Sequence, residues 1–224
     1  MKSKAWTEKF MQGVFFIAAC ASVLAVALIC IFLFANGIPA MKEIGFGNFL
    51  SGKMWKPKNE IFGILPMIIG SLYVTAGAII FGVPIGILTA VFMAYYCPKK
   101  IYKPLKAATE LLAGIPSVVY GFFGLVVIVP LIRTIGRDLG FGGNGSSILT
   151  ASLLLGMMIL PTIIGLTESS IRAVPPHYYE GAVALGATHE RAIFRVVIPA
   201  AKSGVIAAIV LGVGRAIGET MAVI

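Results

Sequence analysis

The sequence predicts an all-α, polytopic membrane protein with five transmembrane helices. Of its 224 residues, 58% are hydrophobic and only 12% are charged, and the mean hydropathy is +0.97. A soluble domain carries about 25% charged residues, so this chain has too little polar surface to cover a water-soluble globule. A spanning helix takes about 20 residues, so five or six of them with short loops would use the whole chain. This composition excludes a soluble enzyme and a disordered tail.

Two uncharged stretches predict the first two spans. Residues 1–13 are basic and are expected to form a cytoplasmic N-terminus, and the uncharged residues 14–37 follow them. That run is longer than the roughly 7–15 apolar residues of a secretory signal, so it predicts a retained helix. The next uncharged run, residues 64–96, exceeds one upright span and predicts a tilted or broken helix. Between the two, residues 38–62 are predicted to form a loop.

Three further apolar stretches predict the remaining spans. They cover residues 111–132, residues 148–167 and the residues from 203 onward. The segments before and between them are expected to be loops, at residues 97–106, 133–147 and 168–202. With the N-terminus inside, eleven of the 18 Lys and Arg residues fall in cytoplasmic segments and six in external ones, which favours this orientation.

Composition also bears on partners and cofactors. The net charge is +9, but basic residues of membrane proteins collect in loops, so we expect no nucleic-acid partner. The spacing of Cys20, Cys30 and Cys97 indicates neither a disulfide nor a metal site. His177 and His189 have no cysteine partner nearby. We therefore expect no metal and no cofactor.

The polar stretch before the fifth span predicts a helix–turn–helix at the membrane surface. Pro175 and Pro176 block the continuation of the preceding helix, and Gly186 permits a sharp turn after a first short helix. Thr188 can cap a second short helix, which Pro199 is expected to end. Such a unit can dock its apolar side into a groove on a soluble partner, or it can lie on lipid headgroups. The residues alone favour neither alternative.

Arg215 and Glu219 are the charged residues of the fifth span. Because they are four residues apart, they are predicted to share one face of a helix. Each charge in mid-membrane costs about 2.5–3.5 kcal/mol on insertion scales, so a helix that only had to span would avoid both. A guanidinium can donate two parallel hydrogen bonds to an oxyanion. The pair predicts either a substrate pathway or subunit interface, or a structural ion pair that fixes helix packing.

The third span is predicted to be broken near Pro116. This proline removes a backbone donor, and Gly114 weakens the helix beside it. Broken helices often surround the substrate sites of transporters, which makes Ser117 a candidate for the substrate pathway. A kink that only improves packing is the alternative.

The stretch from Glu180 to Pro199 resembles the EAA loop of ABC importer permeases. That motif is E-A-A, three residues, G, nine residues and I-x-L-P. This chain has Glu180, Gly181, Ala182, Gly186 and the run Val196-Val197-Ile198-Pro199 at the same spacing. The resemblance implies a type I permease fold. It also implies that this loop contacts a nucleotide-binding ATPase subunit, through Glu180, Gly181, Ala182, Gly186 and Pro199.

Three longer stretches are similar to the C-type permease subunit of the Pst phosphate importers. They are FGILPMIIGSLYVT (62–75), ELLAGIPSVVYGFFGLVVIVPL (110–131) and GRAIGETMAV (214–223). That family usually has six spans, so the chain is expected to lack the last transmembrane helix. The resemblance also associates Arg215 and Glu219 with the movement of phosphate.

The resemblance implies a multi-pass permease subunit that moves inorganic phosphate inward across the inner membrane. Residues 14–224 would form a single transmembrane permease domain that carries a cytoplasmic coupling loop, residues 168–202. The partners would be an ATP-binding subunit dimer, a sister permease subunit, an external phosphate-binding protein and membrane lipid. ATP would be hydrolysed on the partner, so the chain is not expected to be an enzyme. The alternatives are a permease for molybdate or sulfate, and an anion transporter or channel that is not driven by ATP.

Overall fold

The computed structural model describes residues 2–140 and 143–219 and divides the chain into two compact units, residues 1–68 and residues 69–224. The first unit contains two helices and a small antiparallel hairpin around a 3-10 turn. These elements are α1 (Lys2–Ile44), α2 (Phe46–Ser51), β1 (Trp55–Lys56), the turn Pro57–Asn59 and β2 (Ile61–Phe62).

The predicted loop at residues 38–62 is more structured than the sequence suggested. Its first residues extend α1 to Ile44, and the rest forms α2 and the hairpin. Trp55 packs edge-on against Phe62, with 5.6 Å between the ring centroids. Such cross-strand aromatic pairs are a common source of hairpin stability, which accounts for strands in a segment without apolar periodicity.

The second unit is built from helices, three of which are interrupted or extended by π-helical turns. Its elements are α3 (Leu65–Val91, mostly in this unit), the π turn Phe92–Tyr96, α4 (Lys99–Gly114), α5 (Ser117–Phe123), the π turn Gly124–Ile128, α6 (Val129–Asp138), α7 (Ile148–Arg172), α8 (Pro176–Ala184), α9 (His189–Ala192), the π turn Ile193–Val197, α10 (Ile198–Ala200) and α11 (Lys202–Gly218).

Among the residues that the structure describes, four helical stretches are long and apolar enough to cross a membrane. They are Glu8–Ile44, Leu65–Tyr96, Ser117–Asp138 and Ile148–Arg172. A fifth results if the bent pair His189–Ala200 and Lys202–Gly218, which meet at 70°, counts as one span. The predicted fold class, all-α with five spans, is confirmed in this form.

Several predicted boundaries were wrong, because α6 extends to Asp138 and α7 to Arg172, and the two largest differences lie around α4. The basic segment 97–106 is not a loop, because Lys99 begins the helix α4 directly after Pro98. The third span begins at Ser117 rather than at residue 111, because the helix stops at Gly114 and resumes after Pro116. The residue before a proline disfavours the helical conformation, and Ile115 is extended accordingly, with ψ 125°.

Helix α7 forms the core of the second unit. Ile159 and Ile163 of α7 are fully buried against Val74 and Ala78 of α3 and against Ala216 of α11. Glycines on α3 allow this close approach, as small residues do between membrane helices. A Cβ atom on Gly82 would lie 2.9 Å from the Ile159 side chain and 3.0 Å from the Gly156 carbonyl oxygen.

We expect Gly82→Ala to destabilise the protein by about 1–3 kcal/mol, because the added methyl group would force α3 away from α7. Gly70→Ala is the matched control on the same helix, since a Cβ atom there would have no neighbour within 4 Å. That change should be neutral or stabilising by up to about 1 kcal/mol. Reversible denaturation of both variants in detergent measures the difference. Equal stabilities would contradict this account of the packing.

Candidate functional site

The coupling loop, residues 168–202, contains the predicted helix–turn–helix. Gly186 N donates to Val183 O (2.9 Å) and Ala187 N donates to Ala182 O (3.1 Å), which together make a Schellman motif at the end of α8. Gly186 has φ +87°, a left-handed conformation that favours glycine. The Thr188 hydroxyl then accepts a hydrogen bond from Arg191 N and caps α9, as predicted. We call residues 176–200 the α8–α10 unit.

The apolar side of the second helix faces the chain itself and not a partner. Ala192, Ile193 and Val197 are fully buried, and the last two pack in one cluster with Val91 of α3 and Ile171 of α7. Neither alternative, an external groove or lipid headgroups, therefore applies to the apolar side of this second helix. The side chains are taken up by the protein's own core because α9 and its π turn lie against α3 and α7.

Helix α8 provides the exposed surface of the unit. None of the residues in α8 is buried, and Glu180 and Gly181 are exposed while Ala182 is half-buried. Leu185, at the turn, is 91% exposed, an extreme value for a leucine. An exposed aliphatic side chain at the tip of a well-capped turn is suited to insertion into a complementary pocket.

Pro199 does not end the second helix, contrary to the prediction. It lies within α10, and the 70° bend falls after it, at Ala201, before α11 begins. A proline is tolerated in the first turn of a helix because its missing N–H is not needed there. The π turn Ile193–Val197 immediately before α10 creates such a position.

Residues 168–172 of the coupling loop belong to the last turn of α7, and Glu168 is buried there. Its side chain is only 2% exposed. Glu168 Oε1 accepts hydrogen bonds from the Tyr102 hydroxyl (2.6 Å) and from Arg172 Nε (2.7 Å). Lys106 Nζ lies 3.7 Å from the second carboxylate oxygen. We call Glu168, Arg172, Tyr102 and Lys106 the Glu168 cluster.

The Glu168 cluster connects three elements. Arg172 lies over the Tyr102 ring, with its guanidinium carbon 4.7 Å from the ring centroid, and donates from Nη2 to Met93 O at 2.9 Å. Tyr102 and Lys106 belong to α4, and Met93 belongs to the π turn after α3. The hydrogen bond to the Tyr102 hydroxyl, and then the charge of Glu168, raise the pKa of Lys106, which keeps this amine charged.

A second group of contacts anchors the α8–α10 unit itself, at α8 and at the start of α9. Tyr179 Oη of α8 and His189 Nδ1 of α9 lie 2.7 Å apart, within hydrogen-bond distance. The ring of His189 stands edge-on to Tyr96 at 5.0 Å and to Tyr95 at 6.3 Å between centroids. Both tyrosines lie in the π turn Phe92–Tyr96, the same turn that accepts the hydrogen bond from Arg172.

Arg215 and Glu219 do not share a helical face. Helix α11 ends at Gly218, and Glu219 is extended, with φ −81° and ψ 126°. Within residues 2–140 and 143–219 the ion pairs all involve Glu168, so Arg215 and Glu219 are not paired. Arg215 Nη1 instead donates to the Thr162 hydroxyl of α7 at 3.3 Å. Two glycines in the last turns of α11, Gly214 and Gly218, weaken the helix before it reaches Glu219.

Ser117 follows the predicted break and begins α5, where it is half-buried. The Tyr120 hydroxyl donates to Leu112 O across the break at 2.9 Å. In an unbroken helix that carbonyl would accept from residue 116, but Pro116 has no N–H. In the part of the chain that the structure describes, no hydrogen bond joins Ser117 to Arg215, and no group of three His, Cys, Asp or Glu residues could hold a metal.

Comparison with known proteins identifies the family. Residues 82–224 match the family described as binding-protein-dependent transport system inner membrane component. This chain belongs to that family. The family consists of membrane components of transport systems, so this member is a multi-pass transport subunit.

Relatives of this transport component are found in several bacteria. It is 38% identical to the phosphate transport system permease protein PstC of Mesorhizobium japonicum, over 91% of this chain and 67% of that protein. It is 33% identical to PstC of Haemophilus influenzae, over 99% of this chain and 75% of that protein. A structure of the MetNI methionine ABC transporter matches 74% of each chain with a TM-score of 0.57 at 20% identity, which shows a shared fold.

Sequence reasoning missed the Glu168 cluster in this transport component. In the sequence, Glu168 and Arg172 are two of many charged residues in a polar stretch, and Tyr102 was predicted to lie in a loop. A usable signal was present, since Glu168 and Arg172 are four residues apart and follow an uncharged apolar run that ends in six residues without proline, 162–167. The partner on α4 could not be inferred, because it lies 66 residues earlier in the chain.

The geometry of the turn can be tested with two glycines of the same loop. A Cβ atom on Gly181 or on Gly186 would meet nothing within 4 Å, so the two positions differ in backbone conformation and not in space. Gly186→Ala should cost roughly 1–2 kcal/mol because its φ is positive. Gly181→Ala should stabilise α8 by about 0.5–1 kcal/mol. Amide hydrogen exchange of residues 176–184 should be about tenfold faster in the first variant and slower in the second. Similar rates in both would contradict the turn geometry.

Proposed function

We propose that this chain is a permease subunit of an ATP-driven importer that moves inorganic phosphate into the cell. The observation that carries the proposal is the exposed helix α8 with its capped turn. The segments before and after α8 both pack into the helical core, through Ile171 on one side and Ile193 and Val197 on the other. Relatives named phosphate transport system permease protein support the substrate. The MetNI transporter shares the fold and supports the use of ATP.

The α8–α10 unit would receive the partner that hydrolyses ATP. Glu180, Gly181, Ala182 and Gly186 lie in α8 and its turn, where a partner can reach them, and Pro199 lies at the far end of the unit. The second half of the unit packs into the core, which leaves α8 and Leu185 for the contact. We assign this contact to an ATP-binding subunit dimer. The remaining partners are a sister permease subunit, an external phosphate-binding protein and the surrounding lipid.

Arg215 would bind the phosphate as it passes. Its guanidinium is half-buried and has one neutral partner, the Thr162 hydroxyl, among the described residues. A neutral partner leaves the positive charge uncompensated and several N–H groups free to donate to an oxyanion. Glu219 at the end of α11 and Ser117 at the break before α5 are the other candidates for the pathway.

The proposal includes the placement of the chain. Residues 1–13 would be cytoplasmic and residues 14–224 would act as one transmembrane permease domain in the inner membrane. The coupling loop would then lie on the cytoplasmic side, where ATP is available. The positive-inside rule supports this orientation because more Lys and Arg fall on that side.

The substrate assignment is tested by Arg215→Gln in the complete transporter, reconstituted in proteoliposomes with its partners. Losing a charged hydrogen bond of about 1.5–3 kcal/mol should lower uptake of radioactive phosphate at least about tenfold. The complex should remain assembled on size-exclusion chromatography. Arg137→Gln, at the exposed end of α6, is the matched control and should import phosphate normally. Wild-type uptake by Arg215→Gln would refute the role, and competition by sulfate or molybdate but not by phosphate would refute the substrate.

The ATPase contact is tested by Leu185→Asp. Burying a leucine is worth about 1.5–3 kcal/mol, and a charge at that position would add a desolvation cost, so we expect at least about a tenfold loss of affinity for the ATP-binding subunits. Leu139→Asp is the control, because Leu139 is 65% exposed but lies before α7, at the opposite end of that helix. Co-purification of the ATP-binding subunits at unchanged stoichiometry with Leu185→Asp would contradict the assignment.

A further inference from the structure

We propose that Glu168 is a positioning residue whose buried carboxylate makes the end of α7 move together with α3 and α4 when the α8–α10 unit is displaced. This inference rests on the proposed function, because it concerns how the partner's work would enter the membrane helices. Glu168 and its contacts lie outside α8 and the turn at Gly186, which the partner would contact. The argument depends on three sets of contacts.

The first is the burial of the carboxylate itself. Glu168 is 2% exposed and is held by a hydroxyl, a guanidinium and an amine from two helices. Stability alone does not require such a group, since replacing a buried ionic cluster by apolar residues is often neutral or stabilising. An ionic cluster does restrict geometry, because its hydrogen bonds form in one arrangement only. The cluster therefore fixes the register between α7 and α4.

The second is the bond from Arg172 to Met93 O. Cys97 N, which would donate to Met93 O in an α-helix, donates instead to Phe92 O at 2.7 Å, and Pro98, which would be the donor in a π-helix, has no N–H. Met93 is 1% exposed, and a buried carbonyl without a donor is costly. Arg172 supplies the donor, and Glu168 holds Arg172 in place through Nε. Glu168 thus acts on α3 through Arg172.

The third is the pair of anchors on one turn. Arg172 contacts Met93 on the N-terminal side of the α8–α10 unit, and His189 contacts Tyr95 and Tyr96 within it. All three contacted residues lie in the turn Phe92–Tyr96. With both anchors intact, displacement of α8 must move this turn. With the Arg172 anchor lost, the residues Ala173–Pro175 can act as a hinge.

Helix α4 connects the Glu168 cluster to the proposed pathway. Tyr102 lies in the first turn of α4, and the other end of that helix is Gly114, directly before the break that precedes Ser117. The Tyr120 hydroxyl bridges this break by its bond to Leu112 O. A shift of Tyr102 therefore moves α4, and the bond from Tyr120 to Leu112 O carries this movement to the start of α5, where the proposed pathway lies.

The experiment compares Glu168→Gln with Glu110→Gln in the complete transporter, reconstituted with its partners. Glu110 is exposed on α4, so this control removes the same charge from a helix of the cluster. Phosphate import and ATP hydrolysis are measured on the same vesicles. We expect Glu168→Gln to hydrolyse ATP but to import at least about fivefold less phosphate per ATP, a typical size for a coupling effect. Glu110→Gln should keep the wild-type ratio.

Two further variants separate positioning from structural support. If Glu168 acts through Arg172, the double variant Glu168→Gln with Arg172→Gln should be no worse in this ratio than the worse single variant. An unchanged ratio in Glu168→Gln would overturn the inference, as would a parallel fall of import and ATP hydrolysis in a complex that remains assembled. If Glu168→Gln does not assemble, Tyr102→Phe decides, because it removes one hydroxyl and should lower the ratio in the same direction. An unchanged ratio there would overturn the inference too.

A second measurement does not depend on phosphate. We expect nucleotide binding by the wild-type complex to change amide hydrogen exchange in residues 92–106, and this response to be lost in Glu168→Gln but kept in Glu110→Gln. An equal response in both variants would overturn the inference. If the wild-type complex imports no phosphate, the proposed function fails, and the exchange response still decides whether Glu168 joins the α8–α10 unit to α3 and α4.

Discussion

The arrangement of the helices at one end of the second unit depends on the buried carboxylate of Glu168. It accepts hydrogen bonds from α4 and from its own helix, and the guanidinium that it holds reaches a carbonyl of α3. Apolar packing alone would let these helices slide, because it is not directional. Hydrogen bonds to a charged group are stronger than neutral ones and restrict the geometry. The apolar core between α3 and α7 sets how close the helices lie, and the Glu168 cluster sets their register.

Two prolines produce the same structural problem, and two polar side chains solve it. Because of Pro116, the backbone bond to Leu112 O is a long one from Ile115 N at 3.4 Å, and because of Pro98, Met93 O has no π-helical donor. The Tyr120 hydroxyl satisfies the first carbonyl and the Arg172 guanidinium satisfies the second. In each case the side chain comes from beyond the break, so the interruption becomes a cross-link between segments. Breaks in membrane helices are tolerated where neighbouring side chains satisfy the freed backbone groups.

Features with local causes could be predicted from the sequence. The apolar runs gave the membrane helices, and Gly186 with Thr188 gave the turn and the cap, because each depends on residues within a few positions. The sequence could not predict that the apolar side of the second short helix faces the protein's own core, because the burial of Ile193 and Val197 depends on α3 and α7. The pairing of Arg215 with Glu219 assumed that α11 continues. Spacing four residues apart predicts a contact only where the helix reaches both residues, and α11 stops one residue short.

Helix α7 contains residues of both the candidate pathway and the coupling loop. Thr162 accepts the hydrogen bond from Arg215, and Glu168 lies six residues further along the same helix. At 1.5 Å per residue the two positions are about 9 Å apart along the axis. A helix packed on two sides moves as a rigid body, since protein interiors are close-packed and resist deformation. A displacement of the Glu168 cluster along α7 therefore carries Thr162 with it, and Arg215 must follow or lose its only hydrogen bond among the described residues. The neutral partner makes that loss small, which would allow the guanidinium to exchange this partner for an anion in the proposed pathway.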